Sequence, residues 1–527
     1  MPATFDERPH QNEKAEVLAY VRSLMEQARK ESNHEDLPKL EKLIELIDSK
    51  RYGLVWEEHA ELVEEEMKSK IPVFVEDESK KIKGNPASED YHFLLEGDNL
   101  HSLHLLEKTH AGKIDVIYID PPYNTGNKDF IYNDKIVDKN DGYSHSKWLS
   151  FMSKRLEIAQ NLLSETGVIF ISIDDNEQAQ LKLLCDEVFG EGNFVTSIHW
   201  KRSESQNNNA KQLSIVGESI LCYALNKFQN HFNKIELKES AIKEYRYVDD
   251  LTGRRFRRGT IVDNTRGKNL LHIKSPTGIE RVIKSIRTKE FFKEKDKNGE
   301  IYWTKTGTPY LKIFLDKSEG QISNNWFDKD GVNEDAAEEL SGLDIDFNFS
   351  KPKKLIMKLI SLKSDKTSTI LDFFAGSGTT GHAVVQLNKE DGGNRKYILC
   401  TNNENNICEE VTYQRLFNIQ GDLPHNLKYF KTQFIEKEDE DLEYALLNNV
   451  KTLIELEHAI DLEESDKAVA FTLSEIRELD LTGIKTVYVR QHSHAMMEKE
   501  DWVRYEGIEL VDVPEYYFAK EMKEAGL

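Results

Sequence analysis

"KIDVIYIDPPYNTG", residues 113–126, is the stretch from which the rest of this chain can be read. Ile114, Val116, Ile117, Tyr118 and Ile119 form a near-continuous apolar run. A strand solvated on one face would alternate apolar with polar; a strand buried on both faces of a parallel sheet reads like this one. The run ends at Asp120. Pro121 and Pro122 then remove two backbone donors and fix φ, so the strand cannot continue. One carboxylate, a stiff turn and one aromatic ring, Tyr123, are therefore set at a strand end.

The rhythm on either side of this stretch is that of alternating strands and helices. "YHFLLEGD" (91–98) reads as strand then turn, and "NLHSLHLLEKTH" (99–110) as a helix. After the turn come an amphipathic helix (146–163), a second buried strand "GVIFISID" (167–174) and another helix (176–190). Residues 193–202 and 218–226 look like a closing antiparallel pair. The pattern returns at "KPKKLIMKLISL" (351–362, helix), "TSTILDFFAG" (367–376, strand), "SGTTGHAVVQLNKE" (377–390, helix) and "RKYILCTNN" (395–403, strand). Strands alternating with helices predict an α/β sheet with crossover helices. Residues 227–345 break the rhythm: they are basic, loop-rich and strand-poor, with Tyr245, Tyr247, Phe256, Tyr302, Trp303 and Tyr310 among them. The expected division is a helical appendage over 1–75, then a hydrophilic linker. A core in two parts follows, 90–226 and 346–425, around an insert at 227–345, with an acidic C-terminal region at 426–527.

Composition narrows the classes. A chain of 527 residues is too long for one simple core. No apolar run is long enough to span a membrane, and the polar N-terminus does not read as a signal peptide. Cys185, Cys222, Cys400 and Cys408 form no CxxC pair, which points to reduced thiols in a cytoplasmic setting and away from zinc. The net charge of -23 conceals an uneven distribution. Residues 1–70 carry about -6 and 431–527 about -13, whereas 243–317 carry about +9 and include "GRRFRR" at 253–258. A basic island between acidic ends can meet phosphates through Arg254, Arg255, Arg257 and Arg258.

"GSGTTG", 376–381, fits G-x-G-x-x-G between a strand and a helix. Glycines there admit a ligand to the backbone, and the helix N-terminus offers N–H groups to an anion. Gly-Lys-Ser/Thr is absent, so it is not a Walker loop. Glu404, about twenty residues on, stands where acids bind ribose hydroxyls. Asp372, just before the loop, suits the ammonium of S-adenosylmethionine, and the helix N-terminus suits its carboxylate. No His/Arg pair for hydride transfer can be picked out. The turn then acquires a use. The exocyclic amino group of adenine is a poor nucleophile because its lone pair is delocalised into the ring. Two acceptors, the Asp120 carboxylate and the Pro121 carbonyl, can hold its two N–H protons and restore the lone pair, while Tyr123 offers a flat face to a base removed from the duplex. Catalysis would then be mainly orientation of two bound reactants.

These motifs in this order resemble the beta class of DNA adenine-N6 methyltransferases. "GDNLHSL", "DVIYIDPPYNTG", "KPKKLIMKLI", "LDFFAGSGTTGHAV" and "NRKYILCTNNENN" resemble, more narrowly, the modification (Mod) subunits of type III restriction–modification systems. The resemblance covers roughly 90–226 and 350–420. It implies a Rossmann-like, S-adenosylmethionine-dependent methyltransferase fold with permuted motif order and the insert as target recognition domain. It implies a catalytic Asp120, Pro121, Pro122 and Tyr123. A cofactor site would take in Phe373, Ala375, Gly376, Ser377, Gly378 and Thr379, with Asp120 and Asp372 beside it. Glu404 would lie near the ribose, Asp98 near the adenine, and Lys351 and Pro352 by the methionine end. Phe130 would wall the flipped base. It further implies double-stranded DNA as substrate, a homodimer, a separate helicase–nuclease (Res) partner, and no membrane. Cytosine-N4 methylation, an orphan methyltransferase and a nicotinamide oxidoreductase are the alternatives. His101 and His104 share a helix face without a third ligand, so no metal is expected. His145 shows no partner for a hydrolytic triad.

Overall fold

The structure is a computed structural model, and it describes residues 13–30, 36–48, 56–126, 130–132, 135–137, 141–206, 211–513 and 517–524. The N-terminal twelve residues, on which the signal-peptide reading falls, lie outside the described residues. Ten strands form the path of one large sheet, and six consecutive ones run parallel: Asn426–Glu436, His92–Glu96, Lys396–Thr401, Thr369–Asp372, Ile114–Ile119 and Leu163–Ile173. Gly217–Ala224 and Phe194–Lys201 close one side antiparallel, as expected.

Strand Ile114–Ile119 is buried on both faces. Ile117 and Ile119 pack with helices Asn99–His110 and Ser144–Leu162 in one core layer. Val116 and Tyr118 pack with helices Lys353–Ser361 and Thr379–Asp391 in the other. A one-residue slip would exchange the two sets, so the register is pinned from both sides. From this strand the chain winds one way to Leu163–Ile173. From its neighbour Thr369–Asp372 it winds the other way to Lys396–Thr401. The order therefore reverses between these two strands, which is where a doubly wound sheet opens a crevice at its carboxyl ends. The fold is Rossmann-like, and the turn and the glycine loop face that crevice from adjacent strands, although the turn comes first in the sequence.

Three boundaries differ from the sequence reading. Helices Glu13–Lys30 and Asp36–Asp48 form as expected, but Lys70–Glu76 is an edge strand of the main sheet, antiparallel to Asn426–Glu436. Its apolar residues Ile71, Val73 and Phe74 are buried there. The insert is not strand-poor. Tyr247–Val248, Arg255–Gly259, Pro309–Phe314 and Ile301–Trp303 make a four-stranded sheet, and Asn269–Lys274 pairs with Glu280–Ser285 in a hairpin. Short strands joined by glycine turns, such as Gly278 (φ 88°) and Gly307 (φ 77°), lack the long periodic runs that announce a strand in sequence. Trp326–Phe327 already rejoins the main sheet. Finally, Asn426–Glu436 lies inside the sheet beside His92–Glu96. Beyond it Lys467–Ala470, Thr486–Val489 and Glu509–Asp512 form a small parallel sheet with its own cluster around Val487 and Val489. Among the described residues no helix is long and apolar enough to cross a membrane.

Candidate active site

The parallel strands bring their carboxyl ends to one side. Asp98, Glu404, the glycine loop and the Asp120 turn follow four neighbouring strands in sheet order. At the turn, the indole N–H of fully buried Trp148 donates to the Pro122 carbonyl at 2.7 Å. That fixes the second proline to the helix below. Asn124 takes a left-handed φ of 56° and donates to Glu177 at 2.6 Å. His145, which showed no partner in sequence, meets the same Glu177 oxygen at 2.6 Å.

Asp120 continues the strand parity of Val116 and Tyr118, and so faces the side of helix Lys353–Ser361. There it meets Lys351, 231 residues away, whose ammonium donates to Oδ1 at 2.9 Å and to Oδ2 at 2.8 Å. The same ammonium donates to the Tyr123 hydroxyl at 2.8 Å and lies 5.0 Å from the centroid of its ring. The Tyr123 hydroxyl donates to Asp120 Oδ1 at 2.8 Å. Glu218 also faces the pocket: its Oε2 is 3.3 Å from the Tyr123 hydroxyl and 3.6 Å from Lys351 Nζ, and its Oε1 accepts from Arg202 at 2.8 Å. Lys351 and Glu218 are each 8% exposed. Burial raises the Asp120 carboxyl above the ordinary carboxylate range despite Lys351. Burial also pushes Glu218 up, but Lys351 and Arg202 outweigh it and hold that carboxyl low. The Lys351 ammonium pays for its burial through Asp120 and Glu218, which keep it charged.

The glycine loop is held from behind. Gly376 (φ 48°) and Gly378 (φ 73°) take left-handed conformations. Fully buried Arg415 donates to the Thr379 hydroxyl at 2.8 Å and to Ser377 Oγ at 3.2 Å, and pairs with Glu339 at 2.8 Å. The Ser377 hydroxyl also meets Ser350 at 2.8 Å. The Ser377 and Thr379 side chains thus serve the scaffold, leaving the backbone of the loop to face the crevice. Burial lowers the Arg415 pKa to about 10. Truncating one member of such a buried pair costs about 3–5 kcal/mol. A Cβ at Gly376 would meet nothing nearer than the Phe374 carbonyl at 3.8 Å and Phe347 at 3.9 Å, so there is room beside it for a ligand. A Cβ at Gly378 would come within 3.1 Å of Thr412 instead. Phe373 is fully buried and Ala375 nearly so. Glu404 is exposed, just after strand Lys396–Thr401 beside the strand of the loop.

Asp372 is engaged within the loop itself, accepting from the Phe374 N–H at 3.0 Å and the Thr380 hydroxyl at 2.5 Å. Burial lifts its pKa from 3.8 to about 7. The folded protein then binds this proton more tightly than the unfolded chain. Its contribution to stability is complete below about pH 4 and is lost as pH rises through about 7. Asp372→Asn should remove that loss: melting curves at pH 4 and pH 8 should show the variant gaining on the wild type by on the order of 4 kcal/mol. An equal gap at both pH values would refute it.

Asp98 caps helix Asn99–His110 through the Leu100 N–H at 2.8 Å and reaches Arg155 at 3.3 Å. Phe130 is 2% exposed and packs edge-on to Phe151 in the core. Arg255, Arg257 and Arg258 lie on the inner strand Arg255–Gly259 of the small sheet, with Arg254 just before it, so the four divide between two faces. Arg258 stacks among Tyr247, Tyr302 and Tyr310, and Arg254 lies over Phe314 and pairs with Asp316 at 2.7 Å. Arg255 is exposed and Arg257 half-buried on the other face. Among the described residues no cluster of three or more His, Cys, Asp or Glu side chains could hold a metal ion. Glu218, Arg202, Arg415 and Glu177 were not singled out from sequence. Only Arg155 carried a signal: it falls on the apolar stripe of its helix with Trp148, Met152, Leu156 and Ala159, and is fully buried, paired with Glu61 at 2.8 Å.

The doubly wound sheet carries the Asp-Pro-Pro-Tyr turn and the glycine loop after adjacent strands at its carboxyl ends. A family model described as DNA methylase matches residues 114–413, more than half of the chain, and the chain belongs to that family. It is 36% identical over 365 residues to the StyLTI Mod subunit, a type III restriction–modification enzyme of Salmonella typhimurium, with 62% of this chain and 55% of the relative covered. The EcoPI Mod subunit of Escherichia phage P1 is 33% identical over 373 residues, covering 59% and 57%. The type II methyltransferase M.KpnI of Klebsiella pneumoniae is 33% identical over 365 residues, covering 64% of this chain and 87% of its own. The chain thus spans little more than half the length of the two Mod subunits.

Proposed function

We propose that this protein is a site-specific DNA adenine-N6 methyltransferase that uses S-adenosylmethionine and serves as the modification subunit of a type III restriction–modification system. The observation that carries the reading is the adjacency of the Asp120 turn and the glycine loop at the reversal of strand order, in a chain of the DNA methylase family. S-adenosylmethionine would be held by the loop backbone from Phe373 to Thr379 and by Glu404, and it supplies an electrophilic methyl carbon. The residues of this chain do the rest. Asp120 and the Pro121 carbonyl accept the two N–H protons of the target amino group and aim its lone pair. Tyr123 stacks on the flipped base. Asp120 is also the acceptor within reach for the proton the amino group gives up.

The type III role brings with it double-stranded DNA, a homodimer, a Res helicase–nuclease partner and a cytoplasmic location; four free, buried thiols suit a reducing compartment. One observation favours a second reading. The type II methyltransferase M.KpnI is as similar to this chain as the EcoPI Mod subunit is, at 33% identity, and is matched over 87% of its length, which suits a type II modification enzyme. Digesting methylated DNA to nucleosides and mapping the product by strand separates these. N6-methyladenine on one strand of an asymmetric site supports the type III reading, and on both strands of a palindrome the type II reading. N4-methylcytosine would overturn the choice of base.

The insert is the proposed DNA reader, and its two arginine faces should behave differently. Arg255→Ala with Arg257→Ala should lower the slope of log K against log salt by about 2, since each phosphate contact releases counterions. Arg254→Ala with Arg258→Ala should chiefly loosen the small sheet. An unchanged slope in the first pair would move the DNA contacts elsewhere.

A further inference from the structure

The pocket holds two carboxylates and two cations, and the transfer derived above employs only Asp120. Lys351 has three N–H donors, and they meet Asp120 Oδ1, Asp120 Oδ2 and the Tyr123 hydroxyl at 2.9, 2.8 and 2.8 Å. An ammonium placed this way occupies the acceptor that a target amino group needs. It also draws basicity out of the carboxylate. A base that takes two bonds from Asp120 competes with the ammonium, because Oδ1 already accepts from both Lys351 and Tyr123 and Oδ2 accepts from Lys351.

Its way out is restricted. The side chain is enclosed between the Tyr123 and Trp200 rings, with centroids 5.0 and 5.9 Å from the nitrogen. An unpaired ammonium there would bear a large desolvation cost. Glu218 Oε2 is 3.6 Å away, on the face of strand Gly217–Ala224 that also carries Ile220 and Cys222. Arg202 holds the other oxygen, Oε1, at 2.8 Å, which leaves Oε2 turned to the lysine. Displacement on the order of 1 Å would convert that approach into a hydrogen bond. The Tyr123 hydroxyl lies between the two acids, 2.8 Å from Asp120 and 3.3 Å from Glu218, and remains within reach of the ammonium in either place.

We propose that Glu218 is a positioning residue that provides a second seat for Lys351: the ammonium rests on Asp120 while the pocket waits and passes to Glu218 when the target base enters. This rests on the methyltransferase reading above. Two carboxylates and two cations keep the pocket's net charge unchanged in both seats, and the amino N–H groups of the entering base replace the ammonium on Asp120. Asp120 is thereby freed as acceptor at the moment it is needed.

The test is a double-mutant cycle on the full chain, with Glu218→Gln, Lys351→Met and the pair. The assay measures labelled-methyl transfer to unmethylated genomic DNA, and S-adenosylhomocysteine binding is followed by calorimetry. Glu218→Gln is expected to lower kcat/KM for DNA about thirtyfold and to leave S-adenosylhomocysteine affinity within about twofold. In the Lys351→Met background the same change should cost less than about threefold, because there is no ammonium left to seat. Glu218→Asp, which keeps the charge but shortens the reach, should repeat the loss and its relief, and serves if the amide does not fold. An equal cost with and without Lys351 would make Glu218 a merely structural acid. A loss confined to S-adenosylhomocysteine affinity would make the cofactor the partner of the lysine. Either result, with an active wild type, overturns the second seat alone; a wild type that transfers no methyl to DNA overturns the methyltransferase reading and the seat with it.

Discussion

Replacing Asp120 with alanine is expected to reduce methyl transfer at least about a hundredfold, the usual effect of losing one preorganised polar group that acts in the transition state. The carboxylate is the only acid of the turn, and the sheet directs it into the crevice by the parity of strand Ile114–Ile119. Removing it leaves the Lys351 ammonium with Glu218 at 3.6 Å and the Tyr123 hydroxyl, so the pocket retains a partner for its cation. The protein should therefore remain folded, and S-adenosylhomocysteine and DNA binding should change little. Single-turnover transfer, calorimetry and a DNA titration on the same preparation check all three parts. Near wild-type turnover would mean that Asp120 is not the acceptor.

The second large effect is expected at the glycine loop, and the structure distinguishes two glycines that look alike in sequence. Gly376→Val projects a branched side chain into the space beside the loop, where no protein atom comes within 3.8 Å of the new Cβ. Cofactor affinity should fall at least about a hundredfold, both from the lost room and from the left-handed φ of 48° that valine resists. Gly378→Val meets Thr412 instead, so its cost should appear mainly as lowered melting temperature. Calorimetry with S-adenosylhomocysteine and thermal denaturation of both variants form the comparison. If Gly378→Val loses affinity at an unchanged melting temperature while Gly376→Val binds normally, the ligand lies on the other side of the loop.

What could be read from the sequence was what short-range chemistry settles. Burial on both faces makes an uninterrupted apolar run, so Ile114–Ile119 announced itself as an inner parallel strand. Two prolines end a strand wherever they occur, and a glycine pair before a helical run marks a loop that needs left-handed backbone. The order of these motifs was enough to place the turn and the loop on one sheet. Strands below that threshold went unseen: those of the insert are short and separated by turns, and Lys70–Glu76 was taken into the helical appendage beside it.

Contacts across the sheet were decided by tertiary structure. Asp120 and Lys351 are 231 residues apart, and no local pattern relates them. Glu218 faces the pocket only because the register Trp200↔Glu218 sets its strand that way; one residue's slip would turn it outward. Arg254, Arg255, Arg257 and Arg258 form a single basic run in sequence, but a strand sends alternate side chains to opposite faces and so divides them. Ser377 and Thr379 belong to the loop motif, yet buried Arg415 draws their hydroxyls to the scaffold. Periodicity and turn chemistry act over a few residues and are written along the chain, whereas the partner of a buried charge is fixed by which strands lie side by side and in what register.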